Sequence, residues 1–274
     1  MSKLKAISKD LGHFFMYASN FVSGVAHQWK KTFGLNKHRT LDDIVKEAKE
    51  TTGKDKINLI GHSLGGLKAF VYTLENPTIV ENCMMLGAPL NGTRLAYLGV
   101  LFFPLGIIPK SVLQIIPDNQ FLTAVQSYFK ANKKEFKNIN IENFVSKNDE
   151  LVSLERTCIK YRDIEDENIK EYILEGEGHV SMTYHPLVQN KLKELIVDSE
   201  YPTIFLHGFA MEKTFFRKVL KKLKKTHPEI GEERYKEKRF HFSYDYTEKI
   251  KAEKILGWYE YQFNPNISGK ELLS

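Results

Sequence analysis

A short run, Ile57-Asn58-Leu59-Ile60, leads directly into Gly61-His62-Ser63-Leu64-Gly65-Gly66, after which apolar residues recur at helical spacing. This is G-x-S-x-G set between a strand and a helix, and it constrains the chain more than any other segment. A serine so placed sits on a turn too tight for side chains on its flanks, so Gly61 and Gly65 must be nearly side-chain-free. The turn lifts the hydroxyl above the sheet edge. The next backbone N–H, that of Leu64, can then point at a developing oxyanion. The alternative is a structural glycine-rich turn, and other segments have to decide between the two.

A chain of 274 residues, 42% of them hydrophobic, fits one large α/β domain or two small ones, with a core that needs no disulfide or metal to hold it. Cys83 and Cys158 are far apart and lack C-x-x-C spacing, which reads as two buried thiols in a reducing, cytoplasmic setting. The net charge of +6 suits an anionic membrane surface or an acidic partner, or plain solvation. No nucleic-acid partner is expected. No His/Asp/Glu cluster has ligand spacing, so neither metal nor cofactor is expected. Residues 1–36 begin with Lys3, Lys5 and Lys9 and continue through Phe14-Phe15-Met16-Tyr17-Ala18. Asn20, His27 and Gln28 break the run short of the roughly 18 apolar residues a membrane span requires. The expectation is an amphipathic helix, packed on the domain or lying on a membrane.

Thr40-Leu41-Asp42-Asp43 opens a helix with a capping-box start, Leu41, Ile44, Val45 and Ala48 line one face, and Gly53 stops it. After the serine turn, Leu67, Phe70, Val71 and Leu74 continue as a helix that ends before Asn76-Pro77. Strands are predicted at 83–86, 143–146 and 172–174, a basic helix around 130–137, and a helix over 187–197. Residues 95–108 are almost wholly apolar but broken by Gly99, Pro104 and Gly106. The segment from residue 203 repeats the pattern: a buried strand, Thr203-Ile204-Phe205-Leu206, runs into His207-Gly208-Phe209. A basic amphipathic helix and a strand at 239–244 follow. Alternating strands and helices imply a mostly parallel sheet.

A serine hydroxyl is a weak nucleophile unless a base takes its proton, and the base needs a third group to orient it. Asp149 follows the strand ending near Ser146, and His179 follows the strand at 172–174. Both therefore fall at strand carboxyl ends, where open α/β sheets place ligands. Glu150 is the rival acid, since one residue of loop register exchanges the two. His185 is the rival base, although its place before Pro186 suits the start of a helix. His62 adjoins the serine, but neighbours on a tight turn point apart, so packing is the expected role. A second oxyanion donor is expected at Phe209 N–H, because His207-Gly208 gives a close turn after a strand.

Residues 57–186 resemble the α/β-hydrolase lipases and esterases. The matching pieces are Gly61-His62-Ser63-Leu64-Gly65-Gly66, the loop Gly87-Ala88-Pro89-Leu90-Asn91-Gly92-Thr93, the acid loop Asp149-Glu150-Leu151-Val152, and Gly178-His179. Ile116-Pro117 with Phe121-Leu122 is similar to the lid region of such lipases. The resemblance implies an α/β-hydrolase fold and hydrolysis of an apolar or lipid-like ester through an acyl-enzyme. Ser63, His179 and Asp149 would be catalytic, with Leu64 and Phe209 as oxyanion donors. It also implies that residues 95–116 form a lid or acyl-chain wall, with Leu95, Leu98, Leu101, Phe102 and Phe103 against the substrate. Without the resemblance the same stretch reads equally as core.

The order of the pieces departs from that family. There the His-Gly strand and the strand after it come before the serine turn; here they follow His179. Residues 1–200 resemble the later part of a hydrolase and 201–274 the beginning of one. Three arrangements compete: a circular permutant in which 201–274 complete the same sheet, a tandem copy cut short, and exchange of the unit in a swapped homodimer. Completion within one chain is favoured, because without those two strands the sheet loses its centre and half its oxyanion hole, and the short link 198–202 suffices for it. The same site could serve an acyltransferase, and an unassembled site would leave a lipid-binding, membrane-surface module.

Overall fold

The computed structural model describes residues 39–94, 96–97, 110–158, 169–208, 214–228, 239–242 and 249–263. Six strands form one sheet: β1 (Ile57–His62), β2 (Val80–Leu86), β3 (Asn140–Ser146), β4 (Ile169–Leu174), β5 (Thr203–Leu206) and β6 (Arg239–Phe242). Their order is β4-β3-β2-β1-β5-β6, and every neighbouring pair is parallel. β1 is buried along its whole length because β2 and β5 flank it and helices cover both faces. β5 aligns Ile204 with Leu59 and Leu206 with Gly61, so the late β-α-β segment lies in the same sheet as the serine strand.

The period of two along each strand divides the core into two layers. Leu59, Cys83, Met85, Ile141, Ile204 and Leu206 face one layer. There they meet helices α1 (Leu41–Thr52), α2 (Leu64–Glu75), α3 (Gln120–Ala131) and, at the chain's far end, α6 (Glu253–Phe263). Ile60, Met84, Leu86, Phe144 and Phe205 face the other, under α4 (Pro186–Lys193) and α5 (Thr214–Thr226). The start of α1 is as predicted: Thr40 and Asp43 exchange side-chain and backbone bonds at 3.1 and 2.7 Å, and Gly53 closes the helix at φ 65°.

Several boundaries differ from the sequence expectation, and mostly for one reason. β2, β3 and β4 each begin three residues earlier than predicted, in segments that mix one apolar residue with polar ones, and several of those polar residues bond to one another across the strands. The Asn140 amide donates to Asn82 Oδ1 at 3.1 Å and the Asn82 amide to Asn58 Oδ1 at 2.7 Å. Asn58 Nδ2 in turn reaches Leu195 O at 3.1 Å, Ser199 Oγ at 2.9 Å, Tyr201 O at 3.3 Å and Thr203 Oγ1 at 3.4 Å. A row of amides thus crosses the amino ends of the central strands and grips the link into β5.

The predicted basic helix at 130–137 is instead the end of α3 and a separate turn, Lys133–Phe136. α3 starts at an Asn119 cap and turns Phe121, Leu122, Ala124, Val125, Tyr128 and Phe129 inward. Phe121 and Leu122, assigned above to a lid, are core residues, as are Val112 and Ile115. The helix expected over 187–197 is α4 continued by a single wide turn, Glu194–Asp198. α6 has no counterpart in the sequence reading; it docks through Ile255 and through Trp258, edge-on to Tyr128 at 5.4 Å. The expected amphipathic segment 1–36 lies outside the described residues. Among those described, no helix is long and apolar enough to cross a membrane.

Candidate active site

Ser63 joins β1 to α2 at φ 56° and ψ −129°, a conformation an L-residue holds only when its surroundings over-determine it, at a cost of about 1–3 kcal/mol. Its N–H donates to Leu86 O at 2.8 Å and its carbonyl accepts from Gly66 N at 2.8 Å, so the turn is pinned to β2 and to its own helix. A β-carbon at Gly61 would lie 2.3 Å from Gly65 O, as a turn of this tightness requires. Gly65 has a different reason to be bare: a β-carbon there would lie 2.3 Å from Leu206 O and 2.5 Å from His207 O. The serine turn is therefore shaped to receive the end of β5. On its other side a β-carbon at Gly208 would come 2.9 Å from Ser63 Cβ, which brings the His-Gly turn directly against the serine.

Asp149 and His179 meet across adjacent strand ends. His179 Nδ1 donates to Asp149 Oδ2 at 2.7 Å, and the side chains are 2% and 0% exposed respectively. Asp149 Oδ1 accepts from Leu151 N at 2.9 Å and Val152 N at 2.8 Å, so both carboxylate oxygens are held. Glu150, the rival acid, has a separate place: Oε2 accepts the backbone N–H of His179 at 3.1 Å. The two loops are joined along their length. Ser146 Oγ donates to Glu177 O, Gly176 N donates to Asn148 Oδ1 at 2.9 Å, and Lys147 pairs with Glu175 at 2.7 Å. The rival base His185 instead caps α4, accepting from Leu187 N through Nδ1 at 3.3 Å.

His62 is where the structure adds to the sequence reading. Its ring is fully buried, with its centroid 4.7 Å from that of His179 and 4.8 Å from that of Phe215 on α5. Nε2 donates to the His179 carbonyl oxygen at 2.9 Å. Burial, followed by the nearby His179 and His207, holds its pKa well below the ordinary histidine value. A polar role for His62 has no signal in the sequence, because residue 179 lies far along the chain. Burial also pushes the Cys83 thiol up to about 12, which makes it an inert core residue.

Leu64 is buried at the first turn of α2, where its N–H is one of the amino-terminal donors that have no partner within the helix itself. Phe209, Leu95, Leu98, Leu101, Phe102 and Phe103 lie outside the described residues. Within the apolar stretch 95–116, the described residues Tyr97 and Leu113 are exposed. Among the described residues no three His, Cys, Asp or Glu side chains converge as metal ligands. The loop after β2 is braced to the acid loop: Thr93 Oγ1 donates to Leu151 O at 2.8 Å and Asn91 Nδ2 to Cys158 O at 2.9 Å.

No curated protein matches the chain. Residues 19–123 match the family model described as alpha/beta hydrolase fold, a range that holds the serine turn but not Asp149, His179 or β5. An all-parallel sheet between helical layers, a strained serine between strand and helix, and that match together give the chain the α/β-hydrolase fold.

Proposed function

We propose that the protein is a serine hydrolase that cleaves carboxylic esters of apolar or lipid-like acyl groups. In this reading His179 Nε2 takes the proton of Ser63 Oγ as the oxygen attacks the ester carbonyl. Asp149 keeps the ring in the required tautomer and stabilises the imidazolium that forms. The N–H groups of Leu64 and Phe209 would receive the oxyanion. Collapse expels the alcohol, which takes the proton from His179, and leaves Ser63 acylated. Water, deprotonated by His179, then releases the acid and restores the serine.

The observation that carries the reading is the buried Asp149–His179 contact at 2.7 Å, formed at the same end of the sheet as a serine held in a strained turn. The preference for apolar acyl groups rests on the broken apolar stretch after Thr93 and on Tyr97 and Leu113, exposed at its borders. A fluorophosphonate probe tests the assignment. It should label wild-type protein at Ser63 and leave Ser63→Ala unlabelled; folded wild-type protein that resists labelling would overturn the reading.

A further inference from the structure

His179 is gripped at three points: Glu150 accepts its backbone N–H, Asp149 accepts its ring Nδ1–H, and His62 donates to its carbonyl oxygen. The third is unlike the others, because His62 is covalently next to Ser63. A bond from residue 62 to residue 179 ties the serine turn directly to the histidine loop.

The geometry points to His62 as a positioning residue that fixes the distance between base and nucleophile through the His179 carbonyl; this rests on the hydrolase reading given above. A carbonyl oxygen can only accept, so Nε2 must carry the ring's proton. The other nitrogen, Nδ1, is buried against the Gly208 backbone and has no hydrogen-bond partner among the described residues. Among the described residues there is an acceptor for one ring proton and none for a second. The ring is therefore a neutral Nε2–H tautomer, held by Phe215 on one side and His179 on the other. Its lowered pKa agrees with this. Neutrality matters, because His179 becomes an imidazolium during each acyl transfer, and a second cation 4.7 Å away would oppose that step. Histidine suits the position since it donates one bond while remaining uncharged, rigid and apolar enough to bury.

The test compares His62→Gln, whose amide nitrogen can take the place of Nε2, with His62→Phe, which keeps a ring but no donor. Misplacement of a catalytic group by an ångström costs on the order of 10²-fold. The rate of fluorophosphonate labelling at Ser63 should fall by about 10- to 100-fold in H62F and recover most of that loss in H62Q. The downfield proton resonance of the His179 Nδ1–H should broaden in H62F and persist in H62Q. Equal rates in H62F and wild type, or equal losses in both variants, would overturn the inference and leave His62 a packing residue. Should H62F fail to fold, long-range nitrogen–proton NMR on the wild type decides: a neutral Nε2–H form of His62 supports the role, and any other form overturns it. Wild-type protein that does not label at all would instead refute the hydrolase reading, so the two failures are distinguishable.

Discussion

At the scale of single residues, adjacent carboxylates do different work on one histidine. Asp149 and Glu150 both bind His179, one at the ring and one at the backbone. Only the first can set the tautomer of that imidazole, the base in the proposed mechanism. Asp149→Asn presents an amide that cannot replace the carboxylate as acceptor and ion, so turnover of a simple ester should fall by about 10³- to 10⁴-fold. Glu150→Gln retains an oxygen for the N–H and should cost no more than about tenfold, in keeping with roughly 1 kcal/mol for an altered hydrogen bond. Steady-state kinetics on the two variants checks the division; similar losses would mean that the loop, not the tautomer, is what Asp149 supplies. The placement of Ser63, Asp149 and His179 just after β1, β3 and β4 could be read from the chain. The contribution of His62 could not, because it depends on a carbonyl 117 residues away.

Among the elements, β1, β5 and β6 were legible from their first residues, whereas β2, β3 and β4 were legible only in their later parts and not at their amino ends. Asn82 and Asn140 read as loop residues, yet they are half-buried strand positions whose amides bond, with that of Asn58, across the sheet. A polar residue paired only with other strands carries no periodic signal. α3 escaped for a different reason: its apolar residues resembled a lid when compared with known lipases, whereas their spacing is that of a core helix. α5 was legible throughout, and it supports a prediction about surfaces. Phe215, Phe216, Val219, Leu220 and Leu223 are buried, while Arg217, Lys218, Lys221, Lys222 and Lys225 are exposed on a helix without a single acid. Each such charge near an anionic bilayer contributes about 1 kcal/mol. The protein should sediment with vesicles containing phosphatidylserine and not with purely zwitterionic ones. Binding should vanish near 1 M salt, where screening acts within about 3 Å. Lys221→Glu, Lys222→Glu and Lys225→Glu together should abolish binding and leave labelling of Ser63 intact. Equal binding to both kinds of vesicle, or to neither, would reduce this face to ordinary solvation.

For the molecule as a whole, the late unit forms one flank of the sheet, with β5 set between β1 and β6, the last of the described strands. β5 pairs with β1 from Asn58 to Gly61, the carbonyls of Leu206 and His207 fit against Gly65, and Gly208 lies against Ser63. Ending the chain at Glu200 would remove Ile204, Phe205, Leu206 and the buried face of α5, at about 1.5–3 kcal/mol for each large side chain. That exceeds the roughly 5–15 kcal/mol that holds a typical domain together. The 1–200 fragment should give no cooperative melt, and a soluble, cooperatively melting fragment would show that the unit is dispensable. The amide row at the other end of the sheet has its own consequence for how many chains make one molecule. A strand entering between β1 and β6 could in principle be donated by a neighbour. However, Asn58 grips Leu195, Ser199, Tyr201 and Thr203 together, and so holds shut the hinge that an exchange would have to open. Replacing Asn58 with alanine should loosen that latch, and dimers exchanging residues 201–274 should then accumulate with protein concentration in light scattering. On this argument, whether residues 201–274 stay with their own chain turns on one amide at the foot of β1.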